Sequence, residues 1–227
     1  MAEALHMTVC FGSTHSAGKD VGHAILVSAE WEIVSHETVR LEAWRHRASV
    51  KWGQAQPTAA LVATLRAAGG SPANATPVTV ISTRFGTDFG GVEQVLAMQE
   101  LAQVARRYGA PRGSRGGTSH GALMTSSVLP RRLVVCGDFA STAASPAMSA
   151  ASALGLVDTA TLGDAGLLAC GCGRTSAGPF PLWRRTRVLV NQQGDLRVFR
   201  TSIGDSTGGS VNKPVSVELG VPVGARR

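Results

Sequence analysis

The run Leu133-Val134-Val135-Cys136, entered from the basic pair Arg131-Arg132 and closed by Gly137-Asp138, constrains the fold more than any other stretch of this chain. Four consecutive apolar residues with no polar alternation describe a strand buried on both faces. Gly137 lets the backbone turn, and Asp138 is delivered at the strand's end, a place suited to a catalytic carboxylate. With 227 residues, 44% of them hydrophobic and 16% charged, the chain is globular in composition and long enough for one domain with a large core. Aromatic residues make up only 5%, so that core is expected to be built from small and branched aliphatic side chains.

The elements around this strand follow from pattern and punctuation. Residues 22–41 read as two strands about a turn-like break at Ser28–Glu30. Leu61, Val62 and Leu65 mark an apolar segment over Ala59–Ala67 whose alanine content would suit a helix as well as a strand. Val78–Ser82 reads as a strand after the loop at 69–77. Val95, Met98, Leu101, Ala102 and Ala105 recur at helical spacing, predicting a helix over Val92–Arg107 with Gly109 as its stop signal. Residues 109–130, rich in Gly, Ser and Arg, read as a flexible insertion. Ser145 followed by Pro146 is a helix start, with Ser as N-cap and Pro at the first helical position. Arg184–Val190 and Leu196–Thr201 read as a strand pair joined by a tight turn at Asn191–Asp195, and Val215–Leu219 as the last strand. Residues 1–20 read as an N-terminal loop segment and 222–227 as a tail. The glycine-rich stretch 12–22 is not a phosphate-binding P-loop, because five residues separate Gly12 from Gly18 and Asp20 follows Lys19 where Ser or Thr is required.

Gly137-Asp138-Phe139-Ala140-Ser141-Thr142 resembles the Gly-Asp-Phe-Asn-Ser-Thr signature of the endonuclease/exonuclease/phosphatase superfamily, most closely its poly(A) deadenylase and 2'-phosphodiesterase branch. Further segments are similar to that family in the same order. They are Val21–Val27 with Glu30–Ser35, Val78–Arg84, the helix after Gly90-Gly91 with Gln99 inside it, Arg184–Val190, and Ser210–Leu219. The resemblance implies an α/β fold, a two-sheet sandwich flanked by helices, over residues 21–221. Nothing in residues 1–20 resembles the family's opening strands, which carry a metal-coordinating Asn and a Glu, so the domain is expected to be incomplete at its N-terminus.

Residue by residue, the resemblance implies a dismantled site. Asp138 stands where the family orients or activates its nucleophile near a metal. Ala140 replaces the Asn that helps hold the phosphate, and a methyl group does neither job. Arg84 falls at the His of Thr-His-Leu, where a permanently charged guanidinium has no use as a base. Val211 and Asn212 fall at the closing Asp-His pair, and Thr186 at the Asp of Arg-Ile-Asp. General acid–base assistance is worth roughly 10²–10⁴-fold per positioned group, so no intact catalytic set and no metal site are expected.

The formal net charge is +7, carried almost wholly by arginine. Arg84, Arg106, Arg107, Arg112 and Arg115 are the candidates for gripping a nucleic-acid backbone, since the planar guanidinium suits phosphate. The alternative is a solvated surface in a protein whose arginine reflects a GC-rich gene. Four cysteines in a chain this long make no disulfide framework, and Cys170 and Cys172 lack a second ligand pair for zinc. No run approaches the roughly 20 apolar residues needed to span a membrane, and MAEALHMTV lacks the pattern of a signal or transit peptide. A reducing intracellular compartment, cytoplasm or mitochondrion, is expected.

These readings lead to one expectation and two alternatives. The expectation is a catalytically inactive nuclease-like protein, a structural or RNA-facing subunit of a larger ribonucleoprotein or RNA-processing assembly. It needs no cofactor, and protein partners would cover its exposed sheet surface. The alternatives are an active magnesium-dependent phosphodiesterase with a rewired site around Asp138, and a simple nucleic-acid-binding module.

Overall fold

In the computed structural model, which describes residues 3–14, 21–42, 58–69, 76–86, 91–109, 128–162, 186–204 and 214–220, the apolar run at Leu133 lies inside a six-stranded sheet. In chain order the strands are β1 (Met7–Ser13), β2 (Gly22–Ser28), β3 (Trp31–Leu41), β4 (Thr58–Ala67), β5 (Val78–Arg84), β6 (Leu133–Asp138), β7 (Leu156–Asp158), β8 (Thr186–Asn191), β9 (Arg197–Ile203) and β10 (Val215–Gly220). Helix α1 (Val92–Gly109) joins β5 to β6, and α2 (Pro146–Ala153) precedes β7. The main sheet has the order β3-β4-β5-β6-β8-β7. Among the described strands only β5 and β6 pair in parallel, joined by the α1 crossover.

Side-chain alternation divides this sheet between two layers. Ala60 and Val62 of β4, Ile81, Leu133, Val135 and Leu189 enter one core with Met98 and Leu101 of α1 and Met148 and Ala151 of α2. The intervening Leu61, Ala63 and Leu65 enter a second core with Cys10, Ile25 and Val27 of the β1–β2 hairpin. Thus β4 is a strand buried on both faces, and its alanines serve close packing rather than helix formation. Helices cover one face of the sheet, and two separate antiparallel hairpins, β1–β2 and β9–β10, cover parts of the other. The sandwich expected from the sequence is present.

The helix starts obey local chemistry. Ser145 caps α2, its hydroxyl accepting from the Met148 amide with Pro146 at the first position. The apolar stripe of α1 is buried as its spacing requires, and Gln94 in its first turn is buried too, whereas Gln99 is exposed.

Two expectations require correction. Residues 1–20 are not merely a loop, since Met7–Ser13 forms β1, paired over its full length with β2. β8 and β9 are not a strand pair either. The turn at 191–195 carries the chain out of the main sheet, where β8 pairs with β6 and β7, and into the second layer, where β9 pairs with β10. The physical reason is burial: five of the six β8 residues are buried and belong inside a sheet, whereas β9 is half-exposed and suits a hairpin. Most of the insertion at 109–130, together with Cys170 and Cys172, lies outside the described residues.

Candidate functional site

Register brings three of the candidate residues into one row. Arg84 ends β5, Asp138 ends β6 beside it, and Thr186 opens β8 beside Asp138. Val80, two pairs of residues before Arg84, packs against the hairpin core, so the period of two puts Arg84 and Asp138 on the hairpin side of the sheet. The β1–β2 hairpin contributes His23 to the same end. Its imidazole is held below the ordinary histidine pKa, first by burial and then by the positive charge of Arg84.

The backbone beneath Asp138 is specified tightly. Gly137 has φ 152°, and a Cβ there would lie 1.8 Å from the Thr83 carbonyl oxygen of the neighbouring strand. Only glycine allows β5 and β6 to approach so closely before the turn. Asp138 Oδ1 then accepts the Ala140 amide at 3.0 Å, closing an Asx-type turn. Ala140 occupies the left-handed region with φ 46°, a conformation that costs an alanine on the order of 1–2 kcal/mol and that Asn tolerates far better. The loop therefore keeps a conformation suited to Asn while carrying a methyl group.

Two buried side chains hold this loop, and neither was singled out from the sequence. Gln94 Nε2 donates to the carbonyls of Gly86 and Ala140, each at 3.1 Å, tying the end of β5 to the signature turn. Arg187 is 1% exposed; it donates through Nη1 to Asp158 Oδ2 at 2.7 Å and through Nη2 to the Ser141 carbonyl at 2.8 Å. Asp158 also accepts the Ala160 amide, so this buried carboxylate is bonded at both oxygens. Gln94 had a usable signal, the first turn of a helix just after Gly90-Gly91. Arg187 had none, because an arginine in an apolar strand reads as an edge residue unless its partner is known.

The other predicted residues do not join this row. Arg106 and Arg107 sit in the last turn of α1. The helix runs antiparallel to the strands it connects, so its last turn lies at the opposite end of the sheet, roughly 27 Å of helix away from its start. The structure therefore separates Arg106 and Arg107 from Arg84. Their location at a helix C-terminus also gives them an ordinary structural reason, compensation of the helix dipole. Arg112, Arg115, Val211 and Asn212 lie outside the described residues.

A magnesium ion prefers several hard oxygen ligands in near-octahedral geometry. Here one carboxylate, already accepting a backbone amide, is flanked by a guanidinium-bearing residue and a threonine. Among the described residues no group of three or more His, Cys, Asp or Glu side chains converges to hold a metal. The described donor set does not fit the ion.

This mixed-sheet architecture is similar in fold to solved structures of endonuclease/exonuclease/phosphatase proteins. An endonuclease/exonuclease/phosphatase family protein from Bacteroides thetaiotaomicron superposes with a TM-score of 0.65 at 16% identity, over 96% of this chain and 76% of that one. The human Nocturnin catalytic domain, with bound sulfate, gives 0.65 at 15% identity over 96% and 74% of the two chains. A mannosyl-6-phosphatase of B. thetaiotaomicron gives 0.61 at 16% identity over 94% and 77%. At these identities the likeness is one of fold. No family model matches the chain, and no curated protein is similar to it in sequence. Among the described residues no helix is long and apolar enough to cross a membrane.

Proposed function

We propose that this protein is a catalytically inactive member of the nuclease-like fold, kept as a structural or RNA-facing subunit of a larger intracellular assembly. The observation that carries this reading is the row Arg84–Asp138–Thr186 above the Ala140 turn. The turn that would present an active-site amide is preserved in backbone and empty in chemistry. At the neighbouring strand end a guanidinium, which stays protonated, stands where a general base would be needed. Such groups act as a unit, so loss of several removes turnover rather than lowering it in proportion.

The test is hydrolysis of oligoadenylate and of 2',5'-linked RNA with magnesium present, by the wild type and by Asp138→Ala. The expected result is no cleavage by either. Cleavage by the wild type that Asp138→Ala abolishes would establish the rewired phosphodiesterase instead.

RNA contact within this reading rests on Arg84, which is exposed at the sheet end beside His23. Arg106 and Arg107 would address a different surface. Backbone binding by Arg84 predicts affinity for single-stranded RNA that falls steeply with salt and weakens on Arg84→Gln. Salt-insensitive binding, or no change on substitution, would leave only the structural role.

A further inference from the structure

Among the described residues, the hairpin face of the main sheet is covered at its two sides and by no strand or helix along its middle. The β1–β2 hairpin packs on β3, β4 and β5, with β2 the strand nearer β5. The β9–β10 hairpin packs on the other side, with β10 against β8 and β9 beyond it near Thr159–Thr161. Between β5 and β8 lies β6, and its two faces differ. Leu133 and Val135, on the helix face, are fully buried, whereas Val134 and Cys136, facing the hairpins, are only half-buried. A cavity of about 400 Å³ occupies this position, with Val80 and Val134 in its floor, Leu26 and Ser28 on one wall and Leu219 on the other.

The walls are strand edges. Among the described residues β2 pairs with β1 alone and β10 with β9 alone, so each turns a row of backbone donors and acceptors away from its partner. Their packing on β5 and β8 turns those rows toward each other across β6. An apolar floor between two such edges is complementary to an extended chain, which supplies backbone hydrogen bonds on both sides and side chains to the floor at every second residue. The floor is aliphatic and admits small branched side chains. The row above it ends at Arg84, whose exposed guanidinium acts on the imidazole of His23, with Asp138 beside it on β6. A carboxylate complements the exposed Arg84 guanidinium.

We propose that the groove over β6 seats an extended segment of a different polypeptide. Its small apolar side chains alternate onto β5 and β6, and an acidic residue reaches Arg84. A second copy of this chain is poorly suited to supply it, because every described strand is already hydrogen-bonded within a sheet. The proposal deepens the non-catalytic reading, since it names the kind of partner and its seat, but the two fail separately. Magnesium-dependent cleavage would remove the first reading and leave the groove to be tested; an unfilled groove would remove this one and leave catalysis as it was.

The experiment is photo-crosslinking of the full chain in its own cells, with benzoylphenylalanine replacing Ser28 in the groove wall or, as a control, Val92, which is exposed on α1. The expected result is an adduct from the Ser28 position alone, mapping to a short stretch of another protein with alternating apolar residues and a nearby Asp or Glu. That stretch, synthesised as a peptide and added to the purified chain, is expected to slow amide hydrogen exchange in both β2 and β10 at least tenfold. Arg84→Gln is expected to weaken its binding several-fold while leaving the far-ultraviolet circular dichroism unchanged. Crosslinks within the same chain or to a second copy, no crosslink at all, or peptide binding that leaves β2 and β10 exchange unaltered would each overturn the proposal.

Discussion

Replacing Arg187 by methionine tests how the signature loop is held. The substitution keeps a long apolar stem but removes the guanidinium that joins Asp158 to the Ser141 carbonyl. Asp158 is 7% exposed, so its carboxylate would remain buried without its guanidinium partner, and the Ser141 carbonyl would lose a donor. Breaking one side of a buried ion pair costs about 3–5 kcal/mol, most of it the desolvation of the charge left behind. Against a typical total of 5–15 kcal/mol this is a large fraction. With a urea slope of about 2–3 kcal/mol per molar, the midpoint should fall by roughly 1–2 M. The double variant Arg187→Met/Asp158→Leu removes both charges and should recover most of that loss, because replacing a whole buried pair by apolar groups is often close to neutral. Urea unfolding followed by circular dichroism reads both numbers. A loss under about 1 kcal/mol for the single variant, or a double variant no more stable than the single, would refute the claim that this pair anchors the loop.

Gly137→Ala is expected to cost about 3 kcal/mol or more, since its Cβ meets the rigid Thr83 carbonyl in a backbone conformation that suits glycine; a soluble variant with an unchanged urea midpoint would contradict the close approach of β5 and β6. His23 should titrate below the ordinary histidine range, and Arg84→Gln should raise its pKa toward normal in an NMR titration; no movement would mean that Arg84 does not face it. The sign for stability follows. The unfolded chain takes up the His23 proton first as pH falls through the normal value, so this residue makes the fold less stable below about pH 6.5, and His23→Gln should flatten that part of the pH profile. Desolvation pushes the Cys136 thiol up to about 11, so it should react with iodoacetamide at pH 8 far more slowly than a small-molecule thiol, and fast labelling would show that the thiol of this half-buried residue is not desolvated.

Which of these features the sequence could reveal depended on the range of the physics involved. The strand at Leu133, the stripe of α1 and the Ser145-Pro146 start are local patterns, and each appears where periodicity or capping put it. Strand partnership is not local. The stretch from Arg184 to Thr201 has the pattern of a hairpin, and the burial of β8 on both faces, which draws it into the main sheet, depends on β6 and β7 far away in sequence. The Arg187–Asp158 pair, 29 residues apart, was invisible for the same reason. That Arg106 and Arg107 face a different end of the sheet from Arg84 follows from the direction of the crossover helix, which the sequence pattern does not give.

The turn that carries Asp138 and Ala140 is held in place from several sides. A site that had merely decayed would be free to relax. Here Gly137 keeps a contact only glycine permits, Ala140 sits in a conformation unfavourable to alanine, and Gln94 and Arg187 both bond to carbonyls of the same short turn. Strain of this kind persists only where the surroundings over-determine it. The turn also closes the end of the groove over β6, where Asp138 and Arg84 follow Cys136 and Ser82 along the hairpin face. A rigid turn at that point sets how far a seated strand can run and which residue it presents to Arg84. If the groove seats a strand as proposed, this turn is the stop of the docking surface.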